Sequence, residues 1–399
     1  MVTALVAGAG LAGTATAIAL ARAGIDSELY EASPTTADDV GAWLTLASNG
    51  LDALTTLGVA DAVAAAGFAT PRMVLRSGSE KELVTFAAGV PRADGLEVQT
   101  MQRADLYRIL RDEAVRRGIP ITYGRRLTAV ESTPGDGVRA SFSDGSSATA
   151  DVLVGADGLR SRVRTLIDPF APPARYTGLL NVGGYARGLD LGQPPGVMNF
   201  CFGRQCFLGY VASPAGDVWW FTNPPSGEPE GTGTRPLDAA WRDRLRELFR
   251  DDDLPMAALL DATDEGFAGW PTYDIPTVPR WHRDGMVLVG DAVHAASPAS
   301  GQGASMAFED AVTLARCLRD RPSPAEAFAA YERLRRARVE AVVKRGKRAG
   351  DAKAPGPLGR WVRDRVAMPL FAAHLARAKT PPDAWLTGHH IDWDEPVPA

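Results

Sequence analysis

Residues 8–24, GAGLAGTATAIALARAG, set glycines at 8, 10 and 13 between the apolar run TALVAG and a stretch of small, helix-compatible residues. The surrounding pattern reads as a strand from Thr3 to Ala7, a helix from Leu11 to Ala23 and a second strand from Ser27 to Glu31, together a βαβ unit. Each glycine then has a physical task. Gly8 permits the tight turn, Gly10 lets the backbone approach a pyrophosphate, and Gly13 lets helix and strand pack closely, with Leu11 and Ala12 opening the helix whose N-terminus faces the phosphate. Glu31 ends the second strand, where a carboxylate accepts hydrogen bonds from a ribose diol. The stretch suits NAD, NADP or FAD equally well, so the nucleotide has to be read from further along the chain.

At 399 residues, with 45% hydrophobic and 23% charged residues, the chain can bury a full core and is expected to divide into two lobes. A net charge of -5 and a pI near 5.7 give no general attraction to nucleic acid or to a membrane. The basic run RLRRARVEAVVKRGKR (333–348) reads as a solvated helix face. Cys201, Cys206 and Cys317 lack metal-ligand spacing and are too few for a disulfide framework, so no metal is expected and a reducing cytoplasm is the default. The first 21 residues carry no charge, yet glycines interrupt the run early and it ends at Arg22. A buried strand turning into a buried helix is expected there, not a signal peptide or membrane span.

Two distant segments narrow the nucleotide. DVLVGADGLRSRVR (151–164) is an apolar strand, an Asp157-Gly158 turn and a short basic helix; GMVLVGDAVHAASPASGQGASMAFEDA (285–311) is a strand, Gly290-Asp291, a proline-containing loop, glycines at 301 and 303, and a helix. With the opening glycines, these closely resemble the three signatures of the single-component, class A FAD monooxygenases of the p-hydroxybenzoate hydroxylase type. The likeness is nearer the smaller members, those similar to salicylate hydroxylase, kynurenine 3-monooxygenase and the tetracycline-inactivating monooxygenases. GAWLTLASNGLDALTTLG (41–58) and QRADLYRIL (102–110) extend it over most of residues 1–315.

The resemblance implies non-covalent FAD in the glycine turn and NADH or NADPH as a transient co-substrate, since no second glycine fingerprint exists. Oxygen would add at flavin C4a, and the hydroperoxide would hydroxylate or epoxidise an apolar aromatic or polycyclic small molecule. Baeyer–Villiger oxygenation in the same site, or an FAD-dependent reductase or dehydrogenase that does not use oxygen, are the alternatives. Non-catalytic binders of lipidated partners share the fold but tend to lose the flavin motifs, and all three are present here.

By the same resemblance, Asp291 accepts from a ribityl hydroxyl and Arg103 reaches phosphate or ribityl oxygens. The N–H groups from Gly301 through Gly303 to Ala304 begin a helix whose positive end suits a reduced flavin, and glycine keeps any Cβ from holding the backbone off the ring. Asp157 serves FAD and the visiting nucleotide, with Arg160 and Arg164 as candidates for nicotinamide-nucleotide contact. Pro298 sits against the flavin face, and His294 is a structural hydrogen-bonding residue. The chain departs from its relatives after Glu31, where Ala32 and Ser33 replace a basic residue that contacts adenosine, implying looser FAD binding. Ser48-Asn49-Gly50 stands at the usual Pro-Asn-Ala position, and Trp43 replaces a small residue, either bordering flavin or substrate or filling the core.

The expected fold is α/β: a Rossmann-like FAD-binding domain (1–70, 98–175 and 276–321), an inserted substrate domain on a mostly antiparallel sheet (71–97 and 176–275), and C-terminal helices with a poorly ordered tail (322–399) that bridge the lobes or meet a partner subunit, the chain being a monomer or homodimer. LLNVGGYARG, QCFLGYVAS and DVWWFTNPP alternate like sheet strands. Tyr185, Asn199, Phe207, Tyr210, Trp220 and Asn223 are the candidates for ligand contact, most of them expected in the core because only one face sees a cavity. Residues 71–275 hold no histidine. A base would have to be Tyr185, Tyr210, His294 or water, and the expectation is that no protein base is used.

Overall fold

A computed structural model describes residues 2–36, 42–133, 137–230, 235–264, 267–351, 357–377 and 383–398. The opening βαβ unit forms as Thr3–Ala7, Leu11–Arg22 and Asp26–Tyr30, within a residue of the expected bounds. Alanine, glycine and threonine line the helix between Gly13 and Leu20, all buried, which lets it lie close against the helix Gly303–Asp320. Bulky side chains there would force the two helices apart.

The first strand is central in a six-stranded sheet ordered His282–Arg283, Met286–Leu288, Val152–Gly155, Thr3–Ala7, Asp26–Tyr30, Ile121–Thr122. Pairing is parallel except for the hairpin at 282–288. The strands leading into the three sequence motifs are therefore neighbours, and their C-terminal ends open on one edge, where parallel sheets of this kind hold ligands.

Eight strands make the second sheet, in the order Arg235–Pro236, Ala268–Asp274, Arg175–Ala186, Val218–Thr222, Phe207–Ala212, Val197–Phe202, Arg72–Ser77, Glu82–Ala87. All its pairs are antiparallel except 197–202 with 72–77, where the two distant stretches of chain join. Helices Ala239–Leu248 and Met256–Asp261 cover one face and share a core with Leu180, Val182, Leu208, Val218 and Trp220. A small sheet of Trp43–Leu46, Phe68–Ala69 and Gln99–Gln102 stands beside the other face.

The C-terminal helix Pro324–Asp351 packs on Gly303–Asp320 and on the turn Pro298–Ser300. The tail corrects the expectation of disorder over 383–398; residues 378–382 and 399 lie outside the described ones. Arg319 and Arg321 donate to the carbonyls of Trp393 (2.8 Å) and Val397 (3.1 Å), Arg316 donates to that of Glu395, and Trp393 lies between the guanidinium groups of Arg22 and Arg319. Arginines closing the 303–320 helix thus bind the tail through its backbone, an anchor that composition does not reveal. Among the described residues no helix is long and apolar enough to cross a membrane, and the three cysteines are buried and form no disulfide.

Candidate active site

The glycine turn is fixed by contacts that exclude side chains. Gly8 has φ +104°, and a Cβ there would stand 2.5 Å from the Ala156 carbonyl oxygen; at Gly13 it would stand 1.8 Å from the Gly8 oxygen. Gly10 caps the helix with extended backbone, leaving the first N–H groups pointing out of the turn. Glu31 is held beside it, one carboxylate oxygen accepting from the Ala9 N–H and the other from the Ser33 N–H, both at 2.8 Å. A cavity of about 160 Å³ opens here, lined by Ala9, Gly10, Glu31, Ser33, Thr35, Thr36, Tyr107, Arg111 and Tyr123.

The helix Arg103–Arg116 crosses this edge with Arg103, Tyr107 and Arg111 on one face, four residues apart. The Arg103 guanidinium lies 5.5 Å from the Tyr107 ring centre, and Nη2 is 3.4 Å from its hydroxyl. Tyr107 and, beyond it, Asp291 favour the charged form of Arg103. Arg111, bonded to Asp112 at 3.0 Å, brings a cation to the Glu31 cavity. Sequence reasoning missed it; helical spacing from Arg103 was the available signal.

Gly301 and Gly303 face the opposite situation from Gly8 and Gly13, since a Cβ at either would meet nothing within 4 Å. The helix Gly303–Asp320 starts at this open cradle, with exposed Pro298 beginning the turn before it. Asp291, exposed, heads the short helix Asp291–His294. Behind the cradle lies a buried ionic cluster. Asn49 Nδ2 donates to Gln302 (2.9 Å) and Glu309 (2.6 Å); Glu309 also binds Arg335 and Arg338; Asp310 accepts from Arg335 Nε at 2.8 Å and from the Gly290 N–H at 2.9 Å, and pairs with His294 Nε2 at 2.6 Å. Burial opposes ionisation of Glu309 and Asp310, but the arginines beside Glu309, and His294 with Arg335 beside Asp310, hold each carboxyl down at about 2. Burial likewise opposes protonation of His294, and Asp310 outweighs it, raising its pKa. His294 is thus tied into the scaffold.

The Asp157 carboxylate accepts from the N–H groups of Arg162 (2.6 Å) and Val163 (3.1 Å) and from the Ser161 hydroxyl, so it starts the helix Arg162–Ile167. Arg160 is exposed. Arg164 requires a correction: it is buried and donates to the carbonyls of Ala292 (2.9 Å) and Leu159 (2.8 Å), joining the second and third motifs rather than offering a cation to a visiting nucleotide.

On the eight-stranded sheet, alternation decides the candidates. The face toward the nucleotide lobe carries Tyr185 and Trp219, whose rings meet edge-on at 5.3 Å, and Phe221; Trp43 approaches Phe221 at 5.5 Å and Trp219 at 6.2 Å, and Phe68 meets Trp219 at 5.2 Å. Phe207 is on the same face, touching Phe200, Phe202 and Phe221, and Asn223 donates to Asn181 at 2.6 Å. Trp43 therefore stands half-buried between the lobes. Burial and, secondarily, Asp105 push the Tyr185 hydroxyl up to about 12.

Three candidates lie on the wrong face. Tyr210 is 1% exposed within the helix-covered core, its hydroxyl without a partner; Trp220 donates to Thr263 Oγ1 at 2.9 Å; Asn199 accepts from Arg76 Nε at 2.9 Å and donates to the Val197 carbonyl. A one-residue shift moves a strand's whole side-chain set to the other face, so Trp219 and Phe200 occupy the positions sought for Trp220 and Asn199, and beside Tyr210 the chain has Gly209, over which the Phe221 ring lies. In the pair Trp219-Trp220 composition cannot say which ring faces in.

The model of an FAD binding domain family matches residues 1–346. The chain belongs to that family. It is a flavoprotein monooxygenase, similar to the aurachin C monooxygenase/isomerase of Stigmatella aurantiaca (30% identical over 381 residues, 95% of this chain and 96% of the relative) and to the FAD-dependent urate hydroxylase of Klebsiella pneumoniae (32% over 357 residues, 87% and 89%). The solved structure of Klebsiella pneumoniae HpxO with FAD and uric acid superimposes with a TM-score of 0.79 at 28% identity, covering 94% and 93% of the two chains. The flavoprotein's own geometry fits FAD: backbone N–H groups at Gly10, a carboxylate beside them, and a cradle at Gly301 and Gly303 that a Cβ would fill.

Proposed function

We propose that this aromatic monooxygenase uses NADH or NADPH and O2 to hydroxylate or epoxidise an apolar aromatic or polycyclic molecule. The observation that carries the reading is the ring wall of Trp43, Tyr185, Trp219 and Phe221, in which one hydroxyl is the sole titratable group and is kept protonated. A small aromatic acid needs a cation or several donors to offset its desolvation; a flat neutral ring needs what this wall offers.

The glycine turn with Glu31 and Arg111 would hold the ADP half of FAD, and Arg103 and Asp291 the ribityl and phosphate oxygens. FAD held there would supply the redox chemistry, by which two electrons of the nicotinamide nucleotide activate O2. The N-terminus at Gly303 favours negative charge on the ring side of the cradle, and Pro298 narrows the approach to it. Trp219 and Phe221 orient the substrate face and exclude water. Tyr185, protonated well above neutral pH, donates a hydrogen bond instead of taking a proton, which suits a substrate that is already electron-rich. With a single glycine fingerprint, the nicotinamide nucleotide would visit without a lasting site.

Nicotinamide oxidation, oxygen uptake and product mass are to be followed together across neutral polycyclic aromatics and small aromatic acids. Coupled turnover with gain of one oxygen atom, faster for the neutral compounds, is expected. Flavin reduction without oxygen uptake under every compound would make the protein a reductase, and preference for the acids would overturn the neutral-substrate reading.

A further inference from the structure

The chain's charge is unevenly spread. Residues 341–379 hold ten lysines and arginines against two aspartates, a formal +8 in a chain of net -5. Within this stretch a helix runs from Pro357 to Arg377, with a widened turn at Arg363–Ala367 just before Pro369. Proline lacks the N–H that the preceding turn would use, and its ring crowds the carbonyl four residues back, which accounts for the widening.

The inner side of this helix is already engaged. Arg363 is buried, its guanidinium 4.9 Å from the Phe202 ring centre, and Phe371 meets Phe86 at 6.1 Å, so the helix is seated on the far edge of the eight-stranded sheet. The outer side is apolar and open: Leu358 is 76% exposed, Trp361 59% and Leu370 66%, with Val362 and Val366 between them. Leu358, Val362, Val366 and Leu370 recur every four residues, an exposed apolar row that winds gradually round a helix of about 30 Å. Arg365 on the helix, and Lys344, Lys347 and Arg348 on the preceding one, are exposed cations.

We propose that this helix docks the protein onto an anionic lipid surface, lying in the interface with the stripe inserted and the cations against the headgroups. A tryptophan and branched aliphatic residues flanked by arginine and lysine are the composition of such helices, and the positive segment supplies the attraction that the rest of the chain opposes. A second copy of the chain is disfavoured as the occupant because it would bring two net-positive segments, each with Lys344, Lys347, Arg348 and Arg365 exposed, toward each other.

Flotation of the FAD-loaded protein with vesicles tests this. The wild type is expected to float with phosphatidylcholine vesicles containing phosphatidylglycerol, to float at least tenfold less with phosphatidylcholine alone, and to be released by high salt. Lys347→Glu and Arg348→Glu are each expected to weaken binding about fivefold or more. The exposed triple change Leu358→Ser, Trp361→Ser, Leu370→Ser is expected to lose binding about tenfold or more while keeping flavin content and melting temperature. Failure of the wild type to float with anionic vesicles overturns the proposal, as does undiminished flotation of the triple variant. A solution dimer that the triple variant converts to monomer overturns it too, assigning the stripe to a second copy.

Discussion

In the parallel sheet the surfaces proposed to meet the cofactor are mostly backbone, fixed where Gly8 and Gly13 leave no room for a side chain. In the eight-stranded sheet the surfaces proposed for the substrate are side chains, Tyr185, Trp219 and Phe221, standing on strands whose hydrogen bonds are indifferent to which rings they carry. A site made of backbone is lost when a single Cβ is added. A site made of side chains can be rebuilt while the strands persist, so substrate choice is free to change with the cofactor held constant.

The largest effect should come from Gly13→Ala, which sets a Cβ 1.8 Å from the Gly8 oxygen. The protein is expected to purify colourless and to melt at lower temperature; a variant that keeps its flavin would show that the turn is not fixed by close approach. The tryptophan pair sharpens the contrast between the two faces of one strand. Trp220→Ala should cost about 3–5 kcal/mol in denaturant unfolding through the cavity it leaves, while Trp219→Ala should leave stability and flavin in place and raise the substrate KM about tenfold or more through lost ring contact. The reverse pattern would invert the assignment of the faces.

Arg111→Ala should weaken FAD binding about tenfold in fluorescence titrations of the apoprotein, the loss of one charge-assisted contact. No change would remove Arg111 from the cofactor site. The smallest effects belong to the tyrosines. Tyr210→Phe deletes a buried hydroxyl that has no partner, and stability should move by less than about 1 kcal/mol. Tyr185→Phe should keep coupled turnover within about tenfold; normal oxygen uptake with peroxide in place of product would mean that Tyr185 positions or activates the substrate.

The nucleotide lobe was legible because its constraints are steric and local: a glycine forced by a neighbouring carbonyl appears as glycine, and the strand before it as an apolar run. The substrate strands were legible as strands, but their facing was not, since Trp219 and Trp220 differ only in which side of the sheet a distant hydrogen-bond register assigns them. Arg164 misled because a buried arginine bonded to two carbonyls has the same spelling as one reaching for phosphate. Arg111 went unseen for the converse reason: no cation follows Glu31 in the chain, and the one that lines its cavity comes from another element.

If both arginines hold the cofactor as proposed, the helix Arg103–Arg116 is a length gauge. Arg103 and Arg111 are eight residues apart on it, a rise of about 12 Å, with Asp291 near one end and Glu31 near the other. A ligand must be long enough to satisfy both ends at once. FMN, stopping at its single phosphate, would leave the Glu31 end without a partner, so discrimination between the two flavins would rest on a distance measured along one helix.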